Sequence, residues 1–147
     1  MTSWSPPEDA TRISGPPGRR SLQAMDTASV THAVTEADTA RALGSGDLEV
    51  LGTPRVLAWC EEATCAALAL EPAQTSVGTR VDLEHLAASP VGAEVTATAT
   101  VIHTDGRLVR FQVAAHDAGG TLLATGEIHR VIVDRERFLA RIAPVGD

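Results

Sequence analysis

One long apolar segment constrains the fold of this chain more than any other feature. Residues 54–70 carry few charges, and a proline, Pro72, follows them. Thr53 followed by Pro54 is typical of a helix start, with a threonine as N-cap and a proline at the first helical position. Because the segment is apolar on nearly every face, we predict a buried helix that a second layer of structure must surround.

The sequence on either side of this helix favours strands. Apolar and polar residues alternate after it, as expected of strands with one buried face, and glycine-containing turns at 104–107 and 117–120 favour hairpins. Five strands are predicted, at residues 28–34, 76–86, 94–103, 108–116 and 122–133. A capping-box pattern starting at Thr35 adds a short helix that ends near Leu43. The predicted fold class is therefore α+β, with a five-stranded antiparallel sheet wrapped around a long central helix.

Composition and length favour one globular domain. The chain has 147 residues, of which 44% are hydrophobic, and this is enough for one core. Proline, glycine and serine dominate residues 1–25, which we predict to be a disordered leader. Residues 26–140 are predicted to form the domain and residues 141–147 a C-terminal tail.

The charge pattern excludes several partners. The net charge is -7 and no basic cluster exceeds Arg19-Arg20, which argues against binding to nucleic acid or a membrane surface. No stretch is long and apolar enough to span a membrane, and all 12 basic residues are arginine, a bias typical of a GC-rich genome. We expect a soluble, cytoplasmic bacterial protein. Cys60 and Cys65 are five residues apart on the predicted helix and therefore point to different sides, which excludes a disulfide between them. Both are expected in the core.

Exposed sheet edges predict assembly. A small sheet around one helix leaves two unpaired edges, and pairing edge to edge is the simplest way to cover one of them. We expect a homodimer, with a tetramer as the alternative.

Three polar residues in and beside the apolar helix are candidates for chemistry. Thr53 begins the helix, Glu61 follows eight residues later on a similar face, and His85 shares the apolar side of the next strand. A hydroxyl, a carboxylate and an imidazole that face one cavity could serve as nucleophile, general base and proton donor. Each also has a structural explanation: a helix cap, a partly exposed acid and a hydrogen-bonded core histidine. The remaining histidines lack the spacing of metal ligands, so no metal site is predicted.

At these positions the chain resembles the hotdog-fold thioesterases, and within them the fluoroacetyl-CoA thioesterase-like group. The resemblance covers residues 28–138 and rests on the order and spacing of several pieces. These are Gly52-Thr53-Pro54, Glu61, Gly78 seven residues before His85, Ala114-Ala115-His116-Asp117, and Gly126-Glu127-Ile128-His129-Arg130.

The resemblance implies an active site at the interface of a dimer. It implies that Thr53, Glu61 and His85 are catalytic, while Gly52, Gly78 and Arg130 contact the substrate, an acyl-CoA or acyl-carrier thioester of small or medium size. No cofactor is implied beyond the coenzyme A of the substrate.

The acyl group stays open on sequence grounds. The fluoroacetyl-specific enzyme selects its substrate with aromatic residues near the site, whereas residues 46–50 of this chain contain none. Two other functions on the same fold remain as alternatives: hydration or dehydration of a thioester, and binding of a small acyl ligand without catalysis.

Overall fold

A computed structural model describes residues 27–146 and contains five strands and three α-helices. The predicted leader lies outside these residues. The elements in chain order are β1 (Thr27–Ala33), a 3₁₀ turn (Glu36–Asp38), α1 (Ala40–Leu43), α2 (Thr53–Ala66), β2 (Gln74–His85), β3 (Glu94–Asp105), β4 (Leu108–Asp117), β5 (Leu122–Asp134) and α3 (Arg135–Ala140).

The five strands form one antiparallel sheet in the order β1-β3-β4-β5-β2. The hairpin turns between β3, β4 and β5 use Gly106 and Gly120, both at positive φ, which glycine adopts without strain. The predicted meander is therefore confirmed. β1 and β2 are the two edge strands.

The helix α2 packs on one face of this sheet and contacts all five strands. Its inward side chains are Val56, Trp59, Cys60, Ala63 and Thr64. Small residues oppose them on the sheet, at Ala97, Ala99, Ala115 and Ala124, and allow a close approach. The other face of the sheet is polar, and paired hydroxyls join β1 to β3 along it.

Two details of the predicted helix are wrong. The helix ends at Ala66 rather than near residue 70, because Leu68 and Leu70 leave the helical path and pack against the core. It is also not buried on every face, since Ala58, Glu62 and Cys65 are exposed. Cys60 lies in the core as expected, whereas Cys65 does not.

The predicted helix that follows Thr35 is split. A 3₁₀ turn comes first, Thr39 then adopts an extended conformation, and its hydroxyl caps α1 by accepting from the amide of Ala42. Within residues 27–146, no helix has the length and hydropathy needed to cross a membrane.

Candidate active site

Thr53 is the first residue of α2 and not its cap, which corrects the prediction from sequence. The N-cap is Gly52, in an extended conformation and without a side chain to satisfy the helix amides. Gly52 packs so tightly on α1 that an added Cβ would lie 3.0 Å from the Cα of Ala40. The close contact favours glycine at this position, and because Gly52 is the N-cap, the Thr53 hydroxyl has no capping role.

The free hydroxyl meets the imidazole of His85. Thr53 Oγ1 lies 2.8 Å from Nδ1 of His85, the last residue of β2. Burial lowers the pKa of His85 from its ordinary value of 6.5, against a smaller opposing effect of a backbone hydrogen bond with Ala87. The imidazole is thus neutral at pH 7, and Nδ1 can accept the threonine proton when Nε2 carries the ring hydrogen. A hydroxyl bonded to a neutral imidazole is the arrangement of an activated nucleophile or of a positioned water.

A β-bulge sets which residues of β2 face the helix. The pairing of β2 with β5 shifts between Gly78 and Arg80, so that Thr79 is the extra residue. In a regular strand, Gly78 and His85 would point to opposite faces because they are seven residues apart. The bulge reverses the alternation once, and both residues therefore face α2.

Gly78 leaves room for the carboxylate of Glu61. A Cβ at Gly78 would lie 2.8 Å from Glu61 Oε2, closer than real Cβ atoms come to other atoms. The same carboxylate oxygen lies 3.3 Å from Nη1 of Arg130, whose side chain is 9% exposed. Glu61 itself keeps 37% of its side-chain surface exposed. It is therefore a partly exposed, ion-paired carboxylate, as in the structural explanation of a partly exposed acid.

Arg130 is engaged within the protein. Its Nε donates to Ser76 Oγ at 2.8 Å and its Nη2 donates to the Ser76 carbonyl oxygen at 3.1 Å, while Nη1 faces Glu61. The structure shows this arginine paired with a carboxylate, and its contact with the substrate, which the resemblance implies, stays a prediction. No motif singled out Ser76, which lies 54 residues from Arg130 in sequence and approaches it only through the β2–β5 pairing.

The contacts divide the candidate residues into two groups along α2. Thr53 and His85 lie at the start of α2, and Glu61, Gly78 and Arg130 lie further along it. Eight helical residues rise about 12 Å, and the seven residues from Gly78 to His85 span about 20 Å of strand. The rotation of Thr53 and Glu61 around the helix axis is similar, but a single site that uses both residues of one chain has to span this rise.

Glu62 lies outside both groups. Its Oε1 lies 2.7 Å from His32 Nε2, and the His32 ring stacks on Trp59 at a centroid distance of 4.8 Å. This contact joins α2 to the edge strand β1. Among the described residues, no three His, Cys, Asp or Glu side chains are grouped as a metal site would require.

Comparison with known proteins first defines the class. The structure is similar to that of a hot-dog-like protein from Thermanaerovibrio acidaminovorans, at a TM-score of 0.69 and 26% identity over 81% of this chain and 92% of that one. A thioesterase superfamily member from Thermus thermophilus matches at a TM-score of 0.72 and 26% identity, over 78% of this chain and 85% of that one. The chain thus has the hotdog fold of thioesterases.

The particular family follows from closer matches. The family model of the fluoroacetyl-CoA-specific thioesterase matches residues 34–136, and the chain belongs to this family. The fluoroacetyl-CoA thioesterase of Streptantibioticus cattleyicolor is 35% identical over 96 residues, which are 64% of this chain and 68% of that protein. A crystal structure of a fluoroacetyl-CoA thioesterase matches at a TM-score of 0.73 and 30% identity, over 80% of this chain and 92% of that one. The predicted family, fold and acyl-CoA thioesterase activity are confirmed.

Proposed function

We propose that this enzyme hydrolyses a small acyl-CoA thioester in a homodimer whose active sites each combine residues of two subunits. Thr53 and His85 come from one subunit, and Glu61, held by Arg130, comes from the other. The 2.8 Å contact between Thr53 Oγ1 and His85 Nδ1 carries the proposal, because it joins a nucleophilic hydroxyl to a neutral base.

The edge strand β2 supports the dimer. Five consecutive residues of β2, from Gly78 to Asp82, are exposed, and β2 lies at the edge of the sheet. Two such strands paired antiparallel about a midpoint between Val81 and Asp82 would form one continuous sheet. The Gly78 half of each β2 would then lie beside the His85 half of its partner. This pairing would bring together the two groups of residues that are separate within one chain.

The hydrolysis divides into two proton movements. His85 accepts a proton from the Thr53 hydroxyl, or from a water that this hydroxyl orients, as the oxygen attacks the thioester carbonyl carbon. When the carbon–sulfur bond breaks, the imidazolium returns the proton to the departing thiolate of coenzyme A. If threonine attacked, a water that Glu61 helps to activate then releases the acid from the acyl-threonine.

The start of α2 offers little oxyanion stabilisation beyond one amide. The amides of Arg55 and Val56 both donate to the carbonyl of Gly52, and Pro54 has no N–H. Of these first helical residues, Thr53 alone has an amide without a hydrogen-bond acceptor in the described part of the chain. We therefore assign the Thr53 amide as an oxyanion donor, aided by the positive end of the helix dipole.

We also propose that the enzyme is bacterial and cytoplasmic and has a broad preference for small acyl groups. Both described cysteines are free thiols, which suits a reducing compartment. The relatives are named for fluoroacetyl-CoA, but the sequence just before Gly52 contains no aromatic residue that could close over a two-carbon acyl group. We therefore propose acetyl to hexanoyl thioesters as substrates, without selection for fluorine.

Thiol release from a panel of thioesters tests the function. Acetyl-, fluoroacetyl-, butyryl- and hexanoyl-CoA, and acetyl-acyl carrier protein, are compared with wild type, Thr53→Ala and His85→Ala. The exposed Thr121→Ala and His103→Ala variants are matched controls and should keep wild-type rates. Loss of thiol release in the two site variants alone supports the proposal. Tight binding of acyl-CoA without hydrolysis would instead support an acyl-binding protein, and hydration of crotonyl-CoA would support a hydratase.

A further inference from the structure

Ser76 lies outside the proposed catalytic set but contacts Arg130, the arginine that pairs with Glu61. It lies on β2 two residues before Gly78 and on the same face of the strand, before the bulge at Thr79. Its side chain is half-buried, and both of its oxygens accept hydrogen bonds from Arg130. No other residue in the described chain makes a hydrogen bond to Arg130 with both a side-chain and a backbone atom.

The two hydrogen bonds to Ser76 fix the orientation of the Arg130 guanidinium. The guanidinium is planar, and two of its nitrogens, Nε and Nη2, are fixed by one residue. The third nitrogen, Nη1, is then left to face Glu61 Oε2 at 3.3 Å. A nearby counter-charge stabilises a buried cation, so the Glu61 carboxylate stabilises the Arg130 guanidinium in this position.

We propose that Ser76 is a positioning residue of the reaction, which fixes Arg130 and through it holds the Glu61 carboxylate in the space that Gly78 leaves open. This inference rests on the proposed function, in which Glu61 acts on the reacting water. Ser76 touches neither the substrate nor Thr53. Its effect therefore falls on the rate of the chemical step and not on substrate binding.

Kinetics of Ser76 variants test the proposal. We expect Ser76→Ala to lower kcat about 10-fold, since a hydrogen bond to a charged group is lost, while KM stays within about twofold. Ser76→Thr keeps the hydroxyl and should recover most of the rate. Thr75→Val removes a hydroxyl from the neighbouring position on the opposite face of β2 and serves as the matched control.

A double-mutant cycle separates positioning from a general structural effect. If Ser76 acts through Glu61, Ser76→Ala should cost about 10-fold in the wild-type background and less than about twofold in Glu61→Gln. An equal loss in both backgrounds, a kcat of Ser76→Ala within twofold of wild type, or no recovery in Ser76→Thr would each overturn the proposal. If Ser76→Ala does not fold, Ser76→Cys replaces it in the same cycle.

Failure of this inference is distinguishable from failure of the proposed function. If the wild type hydrolyses none of the thioesters, the proposed function fails, and the positioning role fails with it. If the wild type is active and depends on Thr53 and His85 but Ser76→Ala is unchanged, only the positioning role fails.

Discussion

Mixing two inactive variants tests whether each active site combines two subunits. Thr53→Ala lacks the nucleophilic hydroxyl and Glu61→Gln lacks the carboxylate. In the proposed dimer, a mixed pair contains one site with both defects and one site with neither. Equal amounts that exchange at random give half mixed dimers, so about a quarter of all sites are intact.

The expected loss of kcat in each variant and its recovery in the mixture follow from the separation of the two groups of residues. Thr53 and Glu61 are about 12 Å apart along α2, too far for one substrate carbonyl to contact both within a chain. Each variant alone should retain under about 1% of wild-type kcat, and the mixture should recover about 25% of it. The assay is acetyl-CoA hydrolysis after the two variants, carrying different tags, are unfolded together and refolded.

A second mixture provides the control. Thr53 and His85 contact each other within one chain at 2.8 Å, so a mixture of Thr53→Ala and His85→Ala should remain inactive. Recovery in neither mixture would refute the shared site, because each chain would then use its own Glu61. Recovery in both would refute the assignment of Thr53 and His85 to one group.

Three further predictions concern single residues. Gly78→Ala should lower kcat about 10-fold with little loss of stability. The new methyl group would lie 2.8 Å from Glu61 Oε2, so this oxygen must move about 0.6 Å to reach ordinary van der Waals contact. An unchanged kcat would contradict this geometry. Gly126→Ala should lower the free energy of unfolding in urea by about 3 kcal/mol or more, because its Cβ would collide with the Asp82 carbonyl oxygen, whereas the loop variant Gly119→Ala should change it by under about 0.5 kcal/mol. Because burial lowers the pKa of His85, the acid limb of kcat/KM should lie below pH 6.5, and the stability that depends on neutral His85 should fall as pH drops below 6.5; a limb above pH 7 would show that His85 is not the base.

The fold followed from local pattern in the sequence. Alternation along β3, β4 and β5 and the glycine turns between them depend on neighbouring residues, and these are the features that sequence reveals best. The helix starts one residue earlier than the Thr53-Pro54 pattern predicts, and the packing of its N-cap Gly52 against Ala40 is a tertiary contact that no local pattern reports.

The site was only partly accessible from sequence. The resemblance pointed to Thr53 and His85, which the structure places in contact. The eight-residue spacing of Thr53 and Glu61 gives a similar rotation around α2, but it also gives a rise of about 12 Å that separates them within one chain. The Ser76–Arg130 contact joins residues 54 apart and depends on strand pairing, so the residue spacing contained no signal for it.

The bulge at Thr79 has a consequence for transplanting this site into other proteins. Copying Gly78 and His85 with their spacing onto an ideal strand would send one of them to the wrong side of the sheet. A designed enzyme must either include the bulge together with the side chains or shorten the spacing from seven residues to six, because only an even spacing keeps both residues on one face of a regular strand. The seven-residue spacing between Gly78 and His85 thus reflects the bulge in the backbone, which a search based on side chains alone would miss.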